Sequence, residues 1–242
     1  MREFDKKIIA IIAVLLAFTI TTSVVNAQSR TNKRTRVASK QARSPKATST
    51  ARVNAAASIS GDISHTQWEG NKTTSVTFDE FPATLDEWKA MQQVLGGEPQ
   101  GAVALQVMAF ELYRNNRTDG EQALRLNNTS TNYNSTVERL REIMGKDQYY
   151  ARPYIARAML HGATPENGYY TRPPYVIDMK VDPNKKYQES QLLRGTVIYL
   201  LIDSKGWDTN WRGVEVVKPA GSDYYVVSNC PAMYTQCKPV AN

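Results

Sequence analysis

The chain has 242 residues, of which 41% are hydrophobic; 30 Lys and Arg stand against 23 Asp and Glu, for a formal net charge of +7. The excess is not spread evenly: residues 1–27 carry +1, residues 28–61 carry +8 and residues 62–242 carry −2. A basic isoelectric point would point to nucleic acid, but the part able to fold is slightly acidic and gives no such suggestion, so specific nucleic-acid binding is not expected.

Residues 1–27 have the three parts of a secretory signal peptide. Arg2, Lys6 and Lys7 form a basic start, Ile8 to Ile20 is apolar, and Val25-Asn26-Ala27 offers small residues for cleavage. The uncharged run from Ile8 to Gln28 is also about long enough to cross ~30 Å of hydrocarbon, so a retained membrane anchor is the alternative. Either way the remainder is exported, to the periplasm or the exterior. Residues 28–61, rich in Ala, Ser, Thr, Arg and Lys and without an aromatic residue, read as a disordered basic spacer. Its eight cations, between residues 30 and 52, would give weak contact with an anionic membrane surface.

Residues 62–242 read as a single globular domain. Thr74 to Phe78 is a short strand with Trp68 near it. Thr84 with Glu87 forms a capping box for a helix ending at Gly96-Gly97. Ala102 to Tyr113 is apolar around most of its circumference, the pattern of a buried helix packed directly on a sheet. Thr118 with Glu121 caps a third helix. A polar loop follows from Asn127 to Asn134, and Ser135 with Glu138 starts a fourth helix that ends at Gly145. A short helix after Pro153 leads to Gly162, and Pro165-Glu166-Asn167-Gly168 is a turn.

Strand signals take over from there. Tyr175 to Val181, Gly195 to Asp203, Gly213 to Lys218 and Tyr224 to Ser228 are joined by short connections, which favour an antiparallel meander. Gly195 to Asp203 is apolar on both parities and reads as the central strand, covered on both faces. Helices first and strands afterwards imply α+β: an N-terminal helical layer packed on a C-terminal antiparallel sheet of three to five strands. Cys230 and Cys237 are an even, closely spaced pair in an exported chain, and a disulfide between them is expected, with two reduced thiols as the alternative.

Phe81 to Val240 resembles a family of uncharacterised bacterial domains of exported or membrane-attached proteins. The resemblance rests on Pro82 and Leu85, on Gly96-Gly97-Glu98-Pro99-Gln100-Gly101-Ala102, and above all on Tyr154 with Gly162-Ala163-Thr164-Pro165-Glu166-Asn167-Gly168-Tyr169. It implies a compact α+β domain in the cell envelope and carries over no catalytic residues.

The chain shows no Gly-x-Ser-x-Gly elbow, phosphate loop or dinucleotide fingerprint, and no cofactor is implied. Two isolated histidines, His65 and His161, do not make a metal site. The function expected is non-catalytic binding of an envelope protein or glycan, or a structural role. The candidate surface is Tyr169, Tyr170, Arg172, Trp207, Trp211 and Arg212, aromatic faces with directional donors beside two polar loops. These rings could equally fill the core. The enzymatic alternative is an envelope hydrolase using His161 and Glu166 as an acid/base pair.

Overall fold

The computed structural model describes residues 56–145, 154–235 and 237–241. The leader, the basic segment 30–52 and Pro153 lie outside the described residues. Among the described residues, four helices, α1 (Leu85–Leu95), α2 (Pro99–Asn115), α3 (Arg117–Asn127) and α4 (Ser130–Gly145), occupy the first half. They pack on a curled antiparallel sheet of seven strands: β1 (Ala57–Ser60), β2 (Thr73–Phe78), β3 (Tyr175–Val181), β4 (Gln188–Ser190), β5 (Gly195–Asp203), β6 (Trp211–Val217) and β7 (Val226–Asn229). The strand order is β1-β2-β3-β5-β6-β7, with β4 beside β5. The fold is α+β, but the sheet is larger than the three to five strands expected. Part of the difference is β1, which lies inside the stretch expected to be spacer. Ile59 supplies its one large apolar side chain, and pairing with β2 places Ile59 opposite Val76.

Helix α2 fills the concave side of the sheet. Every residue from Pro99 to Tyr113 is buried, and the helix touches β2, β6 and β7 as well as α1 and α3. Trp88 of α1 docks on it by donating its indole N–H to the Leu105 carbonyl at 3.1 Å. Three polar side chains on this helix, Gln100, Gln106 and Glu111, are buried with it. The Gln106 carbonyl oxygen accepts from the amides of Asn127 (3.0 Å) and Asn128 (2.9 Å). Glu111 accepts through one oxygen from Arg114 (2.7 Å) and from both Nε and Nη2 of Arg157 (3.1 and 3.0 Å).

Two helix starts turn on local hydrogen bonds. The Thr84 hydroxyl accepts from the Glu87 amide at 3.2 Å as expected, while Glu87 reaches back to the Ala83 amide at 2.7 Å. Helix α3 is capped by Asn116, which accepts from the Asp119 amide, and not by Thr118. Helix α4 begins at Ser130 and so absorbs most of the segment expected as a polar loop. Asn127, Asn128 and Asn132 are polar but not solvated; their amides turn inward and bond around Gln106. The short helix expected after Pro153 reduces, within the described residues, to a 3₁₀ turn at Arg157–Met159.

Strand β5 is central, hydrogen-bonded to β3 and β4 on one edge and to β6 on the other. Its two faces are not equally covered. Ile198, Leu200 and Ile202 are buried against the helices, whereas Tyr199, Leu201 and Asp203 are half-exposed on the outer face. The sheet therefore has one dry face and one face partly open to solvent.

The cysteines are not bonded to each other. The Cys230 thiol points to α2 and α4, within 3.7 Å of the Gln106 amide and 3.4 Å of the Asn132 amide. The chain then turns through Pro231–Met233, and Cys237 is buried where Lys238 bonds the Gly206 carbonyl. Two different anchoring points hold the two thiols, so neighbouring positions in sequence do not become neighbouring sulfurs.

Helices α2 and α3 cross in contact at Gly120, where a Cβ would lie 2.2 Å from Tyr113 Cα and 2.4 Å from its nitrogen. Backbone cannot move aside as a flexible side chain can. Gly120→Ala should therefore lower stability by roughly 1–3 kcal/mol, measured by urea denaturation; a variant as stable as the parent would show that this crossing is not close-packed.

Candidate functional site

The open face of the sheet is built by alternation. In β3, Ile177, Met179 and Val181 point to the core, which leaves Asp178 and Lys180 on the outside. In β6, Val214 and Val216 point inward, and Trp211, Gly213 and Glu215 line the outer side. The strand register sets Lys180 opposite Leu201, Leu201 opposite Gly213, Asp203 opposite Trp211 and Tyr199 opposite Glu215.

Gly213 gives this face its shape. A Cβ there would meet only Leu201 Cδ2, at 3.9 Å, so the position has room and the absent side chain leaves a depression. On one side of it stands Trp211, 39% exposed, with Lys180 Nζ 3.9 Å from its ring centroid. On the other side is a cleft of about 170 Å³ lined by Lys185, Tyr199, Gly213, Glu215 and Asn229 among others. Lys185 holds its position there by bonding Glu215 at 3.5 Å, and its Nζ lies 4.9 Å from the Tyr199 ring centroid. Asp203 pairs with Lys205 at 3.3 Å, and Asp178 accepts from His161 Nδ1 at 2.6 Å. Cations and carboxylates thus alternate around one exposed indole and a shallow cleft.

The residues singled out from sequence scatter. Trp211, Tyr170 (63% exposed) and Arg172 face solvent. Tyr169 is fully buried, its ring 5.3 Å from that of Tyr154 and its hydroxyl donating to the Lys238 carbonyl at 2.8 Å. Burial pushes the Tyr169 phenol well up. Trp207 is buried under Arg212, whose guanidinium lies 4.8 Å from the indole and bonds Ala232, Thr209 and Thr235. These two residues clamp β6 to the C-terminal turn, and burial lowers the Arg212 pKa from its ordinary value. Among the described residues, Tyr170 and Arg172 make no hydrogen bond, ion pair or ring contact with Trp211. Only Trp211 of the expected set stands at the Gly213 depression.

His161 and Glu166 are engaged separately. The backbone of His161 bonds β3 at Val176, which brings its ring to Asp178 of the same strand. Glu166 is held below the usual carboxylate range by its own backbone amide and by the Thr164 side chain. That direction opposes use as a proton donor near neutrality. Asn167 closes the turn by accepting from the Thr164 amide and donating to the Gly162 carbonyl. Among the described residues, no three His, Cys, Asp or Glu side chains gather as a metal centre.

Lys180, Tyr199, Asp203, Gly213 and Glu215 were not singled out from sequence. The alternation Ile177-Asp178-Met179-Lys180-Val181 and a glycine inside a strand are the signals that mark them.

A family model described as a domain of unknown function (DUF6935) matches residues 80–241, about two thirds of the chain. The chain belongs to the DUF6935 family. No curated protein and no solved structure matches it. The DUF6935 span contains α1 to α4 and β3 to β7, and hence the whole Gly213 depression, whereas β1 and β2 precede it and extend the same sheet.

The cysteine environments give a direct test of the packing. Burial pushes the Cys230 thiol up to about 11 and the Cys237 thiol up to about 12, so neither supplies reactive thiolate at neutral pH. Iodoacetamide should leave the native protein unmodified and label both cysteines once denaturant is added, with no reductant present. Labelling that also required a reductant would show that the two are paired.

Proposed function

We propose that this DUF6935 protein is an exported, non-catalytic binding domain of the cell envelope, and that it takes a glycan on the outer sheet face around Gly213. The leader pattern of residues 1–27 supports export. The observation that carries the binding site is the pairing of a half-exposed indole, Trp211, with an open cleft across a side-chain-free strand position.

The chemistry of the rim favours sugar over a protein partner. Protein interfaces centre on a desolvated apolar patch. Here the indole stands among Lys180, Asp203, Lys205, Lys185 and Glu215, which supply donors and acceptors for hydroxyl groups. An aromatic face offers apolar contact to the C–H face of a pyranose, and the surrounding charges fix its orientation. The hydrolase alternative draws less support, because His161 pairs with Asp178 and Glu166 is held ionised in its own turn.

Two variants test this surface. Gly213→Val starts from a position with room for a Cβ and suits a strand; Trp211→Ala removes the ring. Both should melt near the parent temperature. In titrations against a panel of soluble envelope oligosaccharides, followed by tryptophan fluorescence and calorimetry, each should weaken binding about 10-fold or more. Unchanged glycan affinity in both folded variants, or binding of an envelope protein in place of any glycan, would refute the assignment.

A further inference from the structure

A second site lies away from the sheet face, between α3 and α4. A cleft of about 260 Å³ is lined by Arg117, Thr118, Glu121, Gln122 and Arg125 of α3 and by Tyr133 of α4. Residues 118, 121, 122 and 125 recur at helical spacing and therefore share one side of α3. Each of the two lining arginines rests on a tyrosine. Arg117 Cζ is 5.5 Å from the Tyr113 ring centroid, and Arg125 Cζ is 4.3 Å from that of Tyr133, with Nη2 donating to the Tyr133 hydroxyl at 3.0 Å. Stacking fixes a guanidinium plane without neutralising its charge.

Among the described residues, neither arginine has a carboxylate partner. The one carboxylate in the cleft, Glu121, is taken by Arg141, whose Nε and Nη2 both donate to its Oε1 at 3.2 and 2.9 Å. Arg117 and Arg125 are eight residues apart and so about 12 Å apart along the helix axis. Two oriented cations thus flank a cleft whose own acid is already neutralised. The Thr118 hydroxyl and the Gln122 amide supply neutral hydrogen-bonding groups between them.

We propose that this cleft binds an oxyanion, the phosphate or carboxylate of a small ligand or of a sugar unit, drawn in by the charges of Arg117 and Arg125 at its two ends. Bidentate guanidinium contacts suit both groups. The site shares no residue with the Gly213 depression and stands or falls independently of it.

The test uses the full chain and two probes, inorganic phosphate and glucuronate, titrated at low salt with backbone amide shifts as the readout. Saturable shifts on α3 and at Tyr133 are expected. Phosphate preference would identify a phosphorylated ligand, and glucuronate preference an acidic sugar. Arg117→Gln and Arg125→Gln are exposed replacements that should leave the melting temperature unchanged and weaken binding by about 10-fold each. Glu121→Gln releases Arg141 and should tighten binding, an effect that a purely structural role for these side chains would not produce. Absence of saturable shifts up to tens of millimolar, or equal binding by the Arg117→Gln/Arg125→Gln double variant, overturns the proposal.

Discussion

Helix α2 has no side in water from Pro99 to Tyr113, and that burial is the constraint on which the rest of the structure depends. A lone helix of this composition would expose apolar surface all round. Its neighbours follow from that demand. The sheet curls to cover one side through β2, β6 and β7, while α1 and α3 cover others. Close approach requires small residues at the crossings, which accounts for Gly120 against Tyr113 and Gly101 against the Leu95 carbonyl.

Burying a helix all round also buries its polar side chains, and unpaired polar groups cost on the order of 1–3 kcal/mol each. Gln106 and Glu111 explain two features that are otherwise arbitrary. Gln106 gathers the asparagines of the α3–α4 junction and, with them, the Cys230 thiol. Glu111 draws in Arg114 and Arg157, the latter from the 3₁₀ turn that precedes β3. The same turn then places His161 beside Asp178. One buried helix thus reaches, through its polar exceptions, to the edge of the outer sheet face.

Much of this was legible in the residues. The Thr84 cap, the all-round apolar character of α2, and the strands β3, β5 and β6 follow from local pattern. What escaped local pattern depends on partners distant in sequence. Asn127 to Asn134 has the composition of a solvated loop, but Gln106, some 20 positions earlier, and Val227 of β7 hold its first residues, and α4 starts at Ser130. Strand β1 carries little apolar content and exists because β2 offers it an edge. Trp207 sits in a stretch of Lys, Gly, Asp, Thr and Asn, yet Arg212 and the C-terminal turn close over it. At the candidate site, Trp211 was visible as an aromatic residue. The value of Gly213 beside it depends on register, which places Leu201 and the Tyr199–Glu215 pair around an empty position.

The functional surfaces are those that the buried helix does not need. One face of the sheet is used up on α2, and the other is free to carry Trp211 and its ring of charges. Helix α2, buried all round, should be the last element released on unfolding. Native-state hydrogen exchange measured residue by residue tests that most directly. Amides from Val103 to Leu112 should exchange only through global unfolding, with the same free energy as denaturant unfolding and more slowly than those of β1. Exchange of these α2 amides through a local opening well below the global free energy would contradict it.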